Sequence, residues 1–243
     1  MANLSIPTLQ HLARTWRKTP DKVEKVLLHL AENPPTFNYN PIYPATEEML
    51  VFGTSLAQIA EGIRRGTSRD GLAKNYLELL TLIHRHFQHI SPDFVNTVST
   101  RSYSVGKNLA VPFTPPLVYG IGGQLYFPWF SLWRSQPLKG EPLSLFVTLV
   151  YEVLRQDPDL EEARFEILDF SAPKAGMPRE LLVIDTRDIP VLPKAQKREM
   201  LAIYAEGFAA AKAKLAAKPR PVKEKDKSAD DQRQQSFDSR WFD

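Results

Sequence analysis

Apolar side chains recur every three or four residues through the first ninety positions, which is the spacing of amphipathic helices. Thr19 as N-cap before Pro20 marks one helix start, and Thr46 followed by two glutamates marks another. The predicted helices cover residues 7–17, 21–31, 47–65 and 69–90, with a further helical turn at residues 91–93. Residues 33–44 contain four prolines and predict an irregular connector, held to the protein surface by its aromatic side chains.

Beyond Leu109 the pattern changes to β-branched and aromatic runs. Gly122-Gly123 separates two such runs and is a turn dipeptide typical of hairpins. The predicted order is a hairpin of residues 117–121 and 124–133, a helix over 142–156, a hairpin of 164–170 and 179–184, and a helix over 194–217. The sequence therefore predicts an α+β fold, in which an N-terminal helical region precedes a mixed ββαββα unit of two hairpins packed with helices.

Composition divides the chain into three parts. We expect a helical region over residues 1–95, an α/β domain with two hairpins over residues 105–217, and a tail over residues 218–243. Residues 218–235 are dense in charge and poor in apolar side chains, so they cannot bury enough surface to offset the entropy of ordering. The tail is therefore predicted to be disordered.

The run of residues 126–133 places apolar side chains on both faces of a strand. Tyr126 and Phe130 point one way, whereas Phe127 and Trp129 point the other. A strand covered by helices on both sides explains this pattern. The alternative is an exposed platform on which bases of single-stranded nucleic acid stack, with Arg134 and Lys139 beside it.

Composition also excludes some chemistry. The 243 residues include no cysteine, so disulfides, thiolate nucleophiles and Cys-ligated clusters are impossible. The net charge of +3 permits nucleic-acid binding without requiring it. No segment has the length of a secretory signal or a membrane span, and we therefore expect a cytoplasmic protein without a membrane partner. No cofactor is predicted.

Two short motifs suggest ligands and have simpler explanations. The stretch Gly120-Ile121-Gly122-Gly123 is glycine-rich like a phosphate-binding loop, but a strand follows it where such loops need a helix, and a hairpin turn is preferred. His84, His86 and His89 lie on one helix before Asp93. Only two of these rings can converge with Asp93, and the spacing is not that of helical zinc sites, so no metal site is predicted.

Basic residues provide candidate contacts to nucleic acid. One set lies on the first two helices and the other surrounds the turn near Gly66, where residues 56–77 loosely suggest a helix-turn-helix. The turn looks longer than that motif allows, so a plain helical hairpin with a solvated basic loop is the alternative. The candidate residues are Arg14, Arg17, Lys18, Lys22, Lys25, Arg64, Arg65, Arg69 and Lys74.

The second hairpin carries Glu166, Asp169, Glu180 and Asp185, and carboxylates on adjacent strands can hold magnesium. The hairpin–helix–hairpin outline is similar in topology to the PD-(D/E)XK nucleases. No Glu-x-Lys or Asp-x-Lys occurs between Met1 and Lys218, so the resemblance implies a catalytically inactive nucleic-acid-binding relative. A metal-dependent hydrolase using Asp169 and Asp185 is a third alternative.

The last eight residues combine aromatic and charged side chains beyond the charged tail. Phe237, Arg240, Trp241 and Phe242 are of the types that dominate binding hot spots. We interpret them as a peptide that docks on a protein partner, or that packs back onto its own domain. The leading functional prediction is a non-enzymatic adaptor or regulatory protein, with nucleic-acid binding as the second class.

Overall fold

The computed structural model describes residues 4–106, 109–135 and 138–217, and these form an α+β fold. The helices are α1 (Leu9–Thr15), α2 (Pro20–Glu32), α3 (Ile42–Leu50), α4 (Leu56–Gly66), α5 (Asp70–Ile90), α6 (Glu141–Leu154) and α7 (Lys194–Ala217). The strands are β1 (Phe94–Asn96), β2 (Arg101–Gly106), β3 (Leu109–Phe113), β4 (Val118–Ile121), β5 (Gln124–Ser131), β6 (Arg164–Asp169) and β7 (Leu182–Asp185). The predicted disordered tail and docking peptide lie outside the described residues.

Five strands form the central sheet in the order β1-β4-β5-β6-β7. The neighbouring strands are antiparallel except β5 and β6, which run parallel and are joined by the crossover helix α6. β2 and β3 form a separate antiparallel hairpin. Because β5 and β6 are parallel, their carboxyl ends meet at the same edge of the sheet.

Helices cover both faces of the sheet. Phe127 and Trp129 of β5 belong to a core formed with α1, α2, α6 and α7. Phe130 and Leu132 belong to a second core formed with α3, α4 and α5. All four side chains are at most 4% exposed, which confirms the prediction of a strand buried on both faces.

The two predicted hairpins are present. Gly122 and Gly123 have φ angles of 55° and 79°, which side-chain-bearing residues rarely adopt, and they turn β4 into β5. In the second hairpin Ile167 pairs with Ile184. Nearby, a Cβ on Gly120 would lie 2.2 Å from a ring carbon of Phe94, so the position of the Phe94 ring over β4 depends on glycine there.

Two helix predictions are wrong. The segment predicted to start at Thr46 is divided into α3 and α4, and Thr46 lies buried inside α3 instead of capping a helix. Ser55 provides the actual cap of α4, through a capping box with Gln58. Residues 91–93 form no helical turn, because Ser91 ends α5 at a φ of 44° and the Asp93 N–H donates to the Gly120 carbonyl.

The first two helices pack against the last one. The Trp16 indole N–H donates to the Met200 carbonyl, and the hydroxyls of Thr15 and Tyr204 lie 3.1 Å apart. Gly207 lets the α2 backbone approach, since a Cβ there would lie 2.6 Å from the Pro20 carbonyl oxygen. Within the described ranges, no helix is long and apolar enough to cross a membrane.

Candidate functional site

The carboxyl ends of β5 and β6 form what we call the carboxyl edge, together with the segments that leave them. The two strands stay paired to their ends, where Ser131 lies beside Asp169. The pairing continues beyond the strands, because the Phe170 N–H donates to the Ser131 backbone carbonyl and the Ala172 N–H donates to the Arg134 backbone carbonyl. In open α/β sheets ligands bind outside the carboxyl ends of the strands, so this edge is the first place to search for a site.

Arg179 organises the carboxyl edge from inside. Its guanidinium is fully buried, and Nη1 donates to the carbonyls of Phe170 at 2.8 Å, Leu132 at 3.0 Å and Trp133 at 3.2 Å. Nε and Nη2 donate to Asn75 of α5 at 3.1 and 2.9 Å. One side chain thus ties the ends of both parallel strands to α5, and mainly through neutral acceptors.

A cavity of about 250 Å³ opens beside this guanidinium, and we call it the arginine cavity. It is lined by Phe37, Tyr39, Arg69, Gly71, Leu72, Asn75, Arg134 and Arg179. The Glu78 carboxylate lies behind this lining, 3.7 Å from Arg134 and 3.8 Å from Arg179. The three guanidiniums of the lining outnumber this one carboxylate, so the cavity keeps a positive charge, which favours an anionic ligand.

Aromatic side chains form one wall of the arginine cavity. Phe37 is 43% exposed and packs edge-on against Tyr39, with ring centroids 5.5 Å apart. The Tyr76 hydroxyl donates to the Asn38 carbonyl at 2.6 Å, and burial raises the pKa of that phenol. These contacts hold the proline-rich connector on α5 and leave the Phe37 ring facing solvent.

Trp133 extends the carboxyl edge toward α1. The Arg14 guanidinium lies over its ring, 5.1 Å from the centroid, and His11 packs edge-on at 5.8 Å. Trp133 is half-buried and directly precedes Arg134 in the chain. The indole packs against the core on the α1 side of the sheet, whereas Tyr39 and Leu72 of the arginine cavity pack against the core on the other side. The carboxyl edge therefore presents a half-buried indole under Arg14 on one face of the sheet and the arginine cavity on the other.

The structure brings some of the predicted basic residues to this edge and leaves others elsewhere. Arg14 lies on Trp133, and Arg69 lines the arginine cavity, where it also donates to the Thr36 carbonyl. Lys18 pairs with Glu141, while Arg64 and Arg65 pair with Glu61. Arg17 donates to the carbonyls of residues 14 and 16, and Lys22, Lys25 and Lys74 are exposed on helices.

The proposed helix-turn-helix differs from its sequence prediction. Only residues 67–69 connect α4 and α5. This connection is as short as that of a helix-turn-helix, whereas the sequence indicated a longer turn. One face of α5 nevertheless lies buried in the second core, where Phe87 packs edge-on against Tyr119 of β4. Its first turn borders the arginine cavity through Arg69 and Leu72.

Most of the predicted aromatic platform is buried. Phe127, Trp129 and Phe130 lie in the two cores and cannot stack on a ligand. Tyr126 and Trp133 are partly exposed, but Tyr126 already stacks on Tyr119, and Trp133 is the one that lies at the carboxyl edge. Arg134, which the stacking alternative placed beside the strand, lines the arginine cavity.

The acidic hairpin does not bring its two aspartates together. Asp169 pairs with Leu182, and Asp185 pairs with Glu166. Paired residues share a face of the sheet, and Glu166 and Asp169 are three positions apart on β6. Asp169 and Asp185 therefore point to opposite faces. Asp185 is held by Arg187 in an ion pair. In the described ranges, no group of three or more histidine, aspartate or glutamate side chains could hold a metal ion.

Glu166 occupies a different environment from its neighbours on the hairpin. It is buried and accepts a hydrogen bond from the Tyr119 hydroxyl across β5. Desolvation by burial, with a smaller contribution from Asp185, raises the pKa of this carboxyl. The Tyr119 ring stacks on Tyr126 at 5.0 Å, with the planes 3° apart. This arrangement holds three neighbouring strands together.

His86, the middle residue of the predicted histidine group, has a packing role. His86 packs edge-on against Phe87, and burial followed by the charge of His89 lowers its pKa. Asp93 accepts from the Gly122 N–H at 2.7 Å and so anchors the hairpin turn.

Sequence reasoning missed Arg179, and it named Arg134 only in the stacking alternative, because Arg134 directly follows the aromatic run. Arg179 lies in a loop of ordinary polar composition, and no sequence signal marks it as buried. Comparisons of the chain with family models, curated proteins and solved structures find no match.

Proposed function

We propose that the protein binds single-stranded nucleic acid at the carboxyl edge of its sheet. The observation that carries this proposal is the arginine cavity, whose lining brings three guanidiniums together beside the solvent-facing ring of Phe37. Guanidiniums match phosphate oxygens in geometry and charge. A cationic groove with aromatic side chains is the usual combination in proteins that bind single strands.

Each group has a role in the proposed complex. Arg69 and Arg134 contact phosphates at the mouth of the cavity, and Arg14 extends the cationic path past Trp133. Phe37 supplies an exposed ring face on which a base stacks, and Trp133, with Arg14 over one face of its ring, supplies the indole surface that stays accessible. Arg179 is a positioning residue, because its hydrogens are engaged by carbonyls and by Asn75. A single strand fits this arrangement better than a duplex, whose bases are already stacked on each other.

Fluorescence anisotropy with a labelled oligothymidylate of twenty nucleotides tests the proposal. The wild-type chain is compared with the double variant Arg69→Gln/Arg134→Gln across a series of salt concentrations. We expect the variant to bind at least roughly tenfold more weakly, because two charge-assisted phosphate contacts are lost. The slope of log K against log salt should fall by about 1.4, since each contact to a single strand contributes about 0.7.

The double variant Arg64→Gln/Arg65→Gln is the matched control. It removes the same two charges from the neighbouring helix, where Glu61 already pairs with both arginines. We expect it to keep nearly wild-type affinity and slope. Equal weakening by both double variants would mean that net charge alone drives binding, and absence of binding by the wild-type chain would refute the proposal.

The adaptor role assigned to Phe237, Arg240, Trp241 and Phe242 stays a prediction from the sequence. These residues lie outside the described ranges, and it is the composition of the peptide that supports the idea.

A further inference from the structure

A second cavity lies on the opposite side of the molecule from the α3–α5 core, between β2 and the first half of α7. We call it the α7 cavity; its volume is about 380 Å³. Val105, Leu201 and Ala205 give it an apolar floor, and the small residues Gly106 and Ala202 keep it open. Its volume is in the range of sites that take a drug-sized ligand or a pair of side chains.

Cationic side chains surround this apolar floor. Lys197 is neutralised, because its ammonium lies 2.5 Å from the Glu152 carboxylate. Lys194 and Arg198 also line the cavity, and neither of them forms an ion pair with another residue that the structure describes. The α7 cavity therefore suits a ligand that combines apolar side chains with negative charge.

We propose that residues 236–243 of the same chain bind in the α7 cavity. The sequence of this segment is Ser-Phe-Asp-Ser-Arg-Trp-Phe-Asp. Phe237, Trp241 and Phe242 match the apolar floor, and Asp238 and Asp243 match the two cationic side chains at its rim. The segment thus carries both the apolar side chains and the carboxylates that suit this cavity.

The intervening chain is long enough for binding within one molecule. From Ala202 to Ala217 the helix α7 rises about 22 Å at 1.5 Å per residue. The twenty residues from Ala217 to Phe237 can span up to about 66 Å when extended. Tethering over such a length gives an effective concentration in the millimolar range, which favours binding within one chain over binding between chains.

The absence of native cysteine makes this proposal testable in the full chain by disulfide trapping. One variant carries Ala202→Cys with Ser239→Cys, and the control carries Ala57→Cys with Ser239→Cys. Ala57 is also an exposed helical alanine, but it lies on α4, which covers the other face of the sheet. The measurement is the rate of disulfide formation at micromolar protein under a mild oxidant, read on a non-reducing gel.

We expect the 202–239 pair to form a monomeric disulfide at least roughly tenfold faster than the 57–239 pair. Adding Lys194→Glu/Arg198→Glu, or Trp241→Ala, should reduce the fast rate to that of the control. Equal rates for the two pairs would overturn the proposal. Disulfides formed mainly between chains would also overturn it, since the occupant would then be a second copy. A fast rate that neither set of added substitutions slows would overturn it too, since trapping would then depend on none of the proposed contacts.

Discussion

The contribution of Arg179 to stability can be estimated from its contacts. In the variant Arg179→Leu, the carbonyls of Phe170, Leu132 and Trp133 lose their shared donor Nη1. The Asn75 side-chain oxygen also loses both of its donors from the guanidinium. A buried acceptor left without a partner costs about 1–3 kcal/mol.

Two effects reduce the sum of these costs. Nη1 has only two hydrogens for three carbonyls, so the loss corresponds to two full hydrogen bonds rather than three. Removing a buried charge also recovers part of its desolvation energy, because the Glu78 carboxylate is 3.8 Å away and compensates it only in part. We therefore expect the free energy of unfolding to fall by about 3 kcal/mol.

The assay is urea unfolding followed by circular dichroism, with the full chain and its variants at pH 7. Arg134→Leu is the matched control, because this neighbouring arginine has a side chain 51% exposed. It should lose less than about 1 kcal/mol. A loss below about 1 kcal/mol for Arg179→Leu, or equal losses for the two variants, would refute the assignment of Arg179 as the organiser of the carboxyl edge.

Three further predictions concern packing, pH and the tail. Gly207→Ala should lower the free energy of unfolding by about 1–3 kcal/mol, because the new Cβ would clash with the α2 backbone. Gly62→Ala should raise the free energy of unfolding by about 1 kcal/mol, because its Cβ meets open space inside α4 and alanine favours the helix. Urea unfolding measures both changes. Folding raises the pKa of Glu166, so the charged form of this carboxylate disfavours the folded state. The stability of Glu166→Gln relative to the wild-type chain should therefore increase as the pH rises above 4.5. A stability difference that shrank with rising pH would contradict this. If the aromatic peptide docks on a protein partner, which is the alternative to its binding in the α7 cavity, a protein captured by the full chain from nuclease-treated extract should be lost when the chain is stopped after Lys218. Capture that survives truncation would refute this alternative.

Local signals were sufficient to predict the central elements of the fold. The two-sided apolar pattern of residues 126–133 identified β5, and Gly122-Gly123 identified its hairpin. The β2–β3 hairpin was not predicted, although Tyr103, Val105 and Val111 alternate with small or polar residues. Pro112 and the serines of that segment weakened its strand signal.

Elements that depend on distant partners could not be predicted. β1 has only three residues and exists because it pairs with β4. The arginine cavity combines α5, the proline-rich connector and both parallel strands, and its central contact joins Arg179 to Asn75, 104 positions away. No window of the sequence contains that juxtaposition.

Photo-crosslinking tests the central claim most directly. The full chain is irradiated with an oligothymidylate that carries a photoreactive base, and the modified peptides are identified by mass spectrometry. Binding at the carboxyl edge predicts crosslinks on the peptides that contain Phe37 and Trp133, and their loss in Arg69→Gln/Arg134→Gln. Crosslinks confined to α7 or to the α4 helix would contradict it.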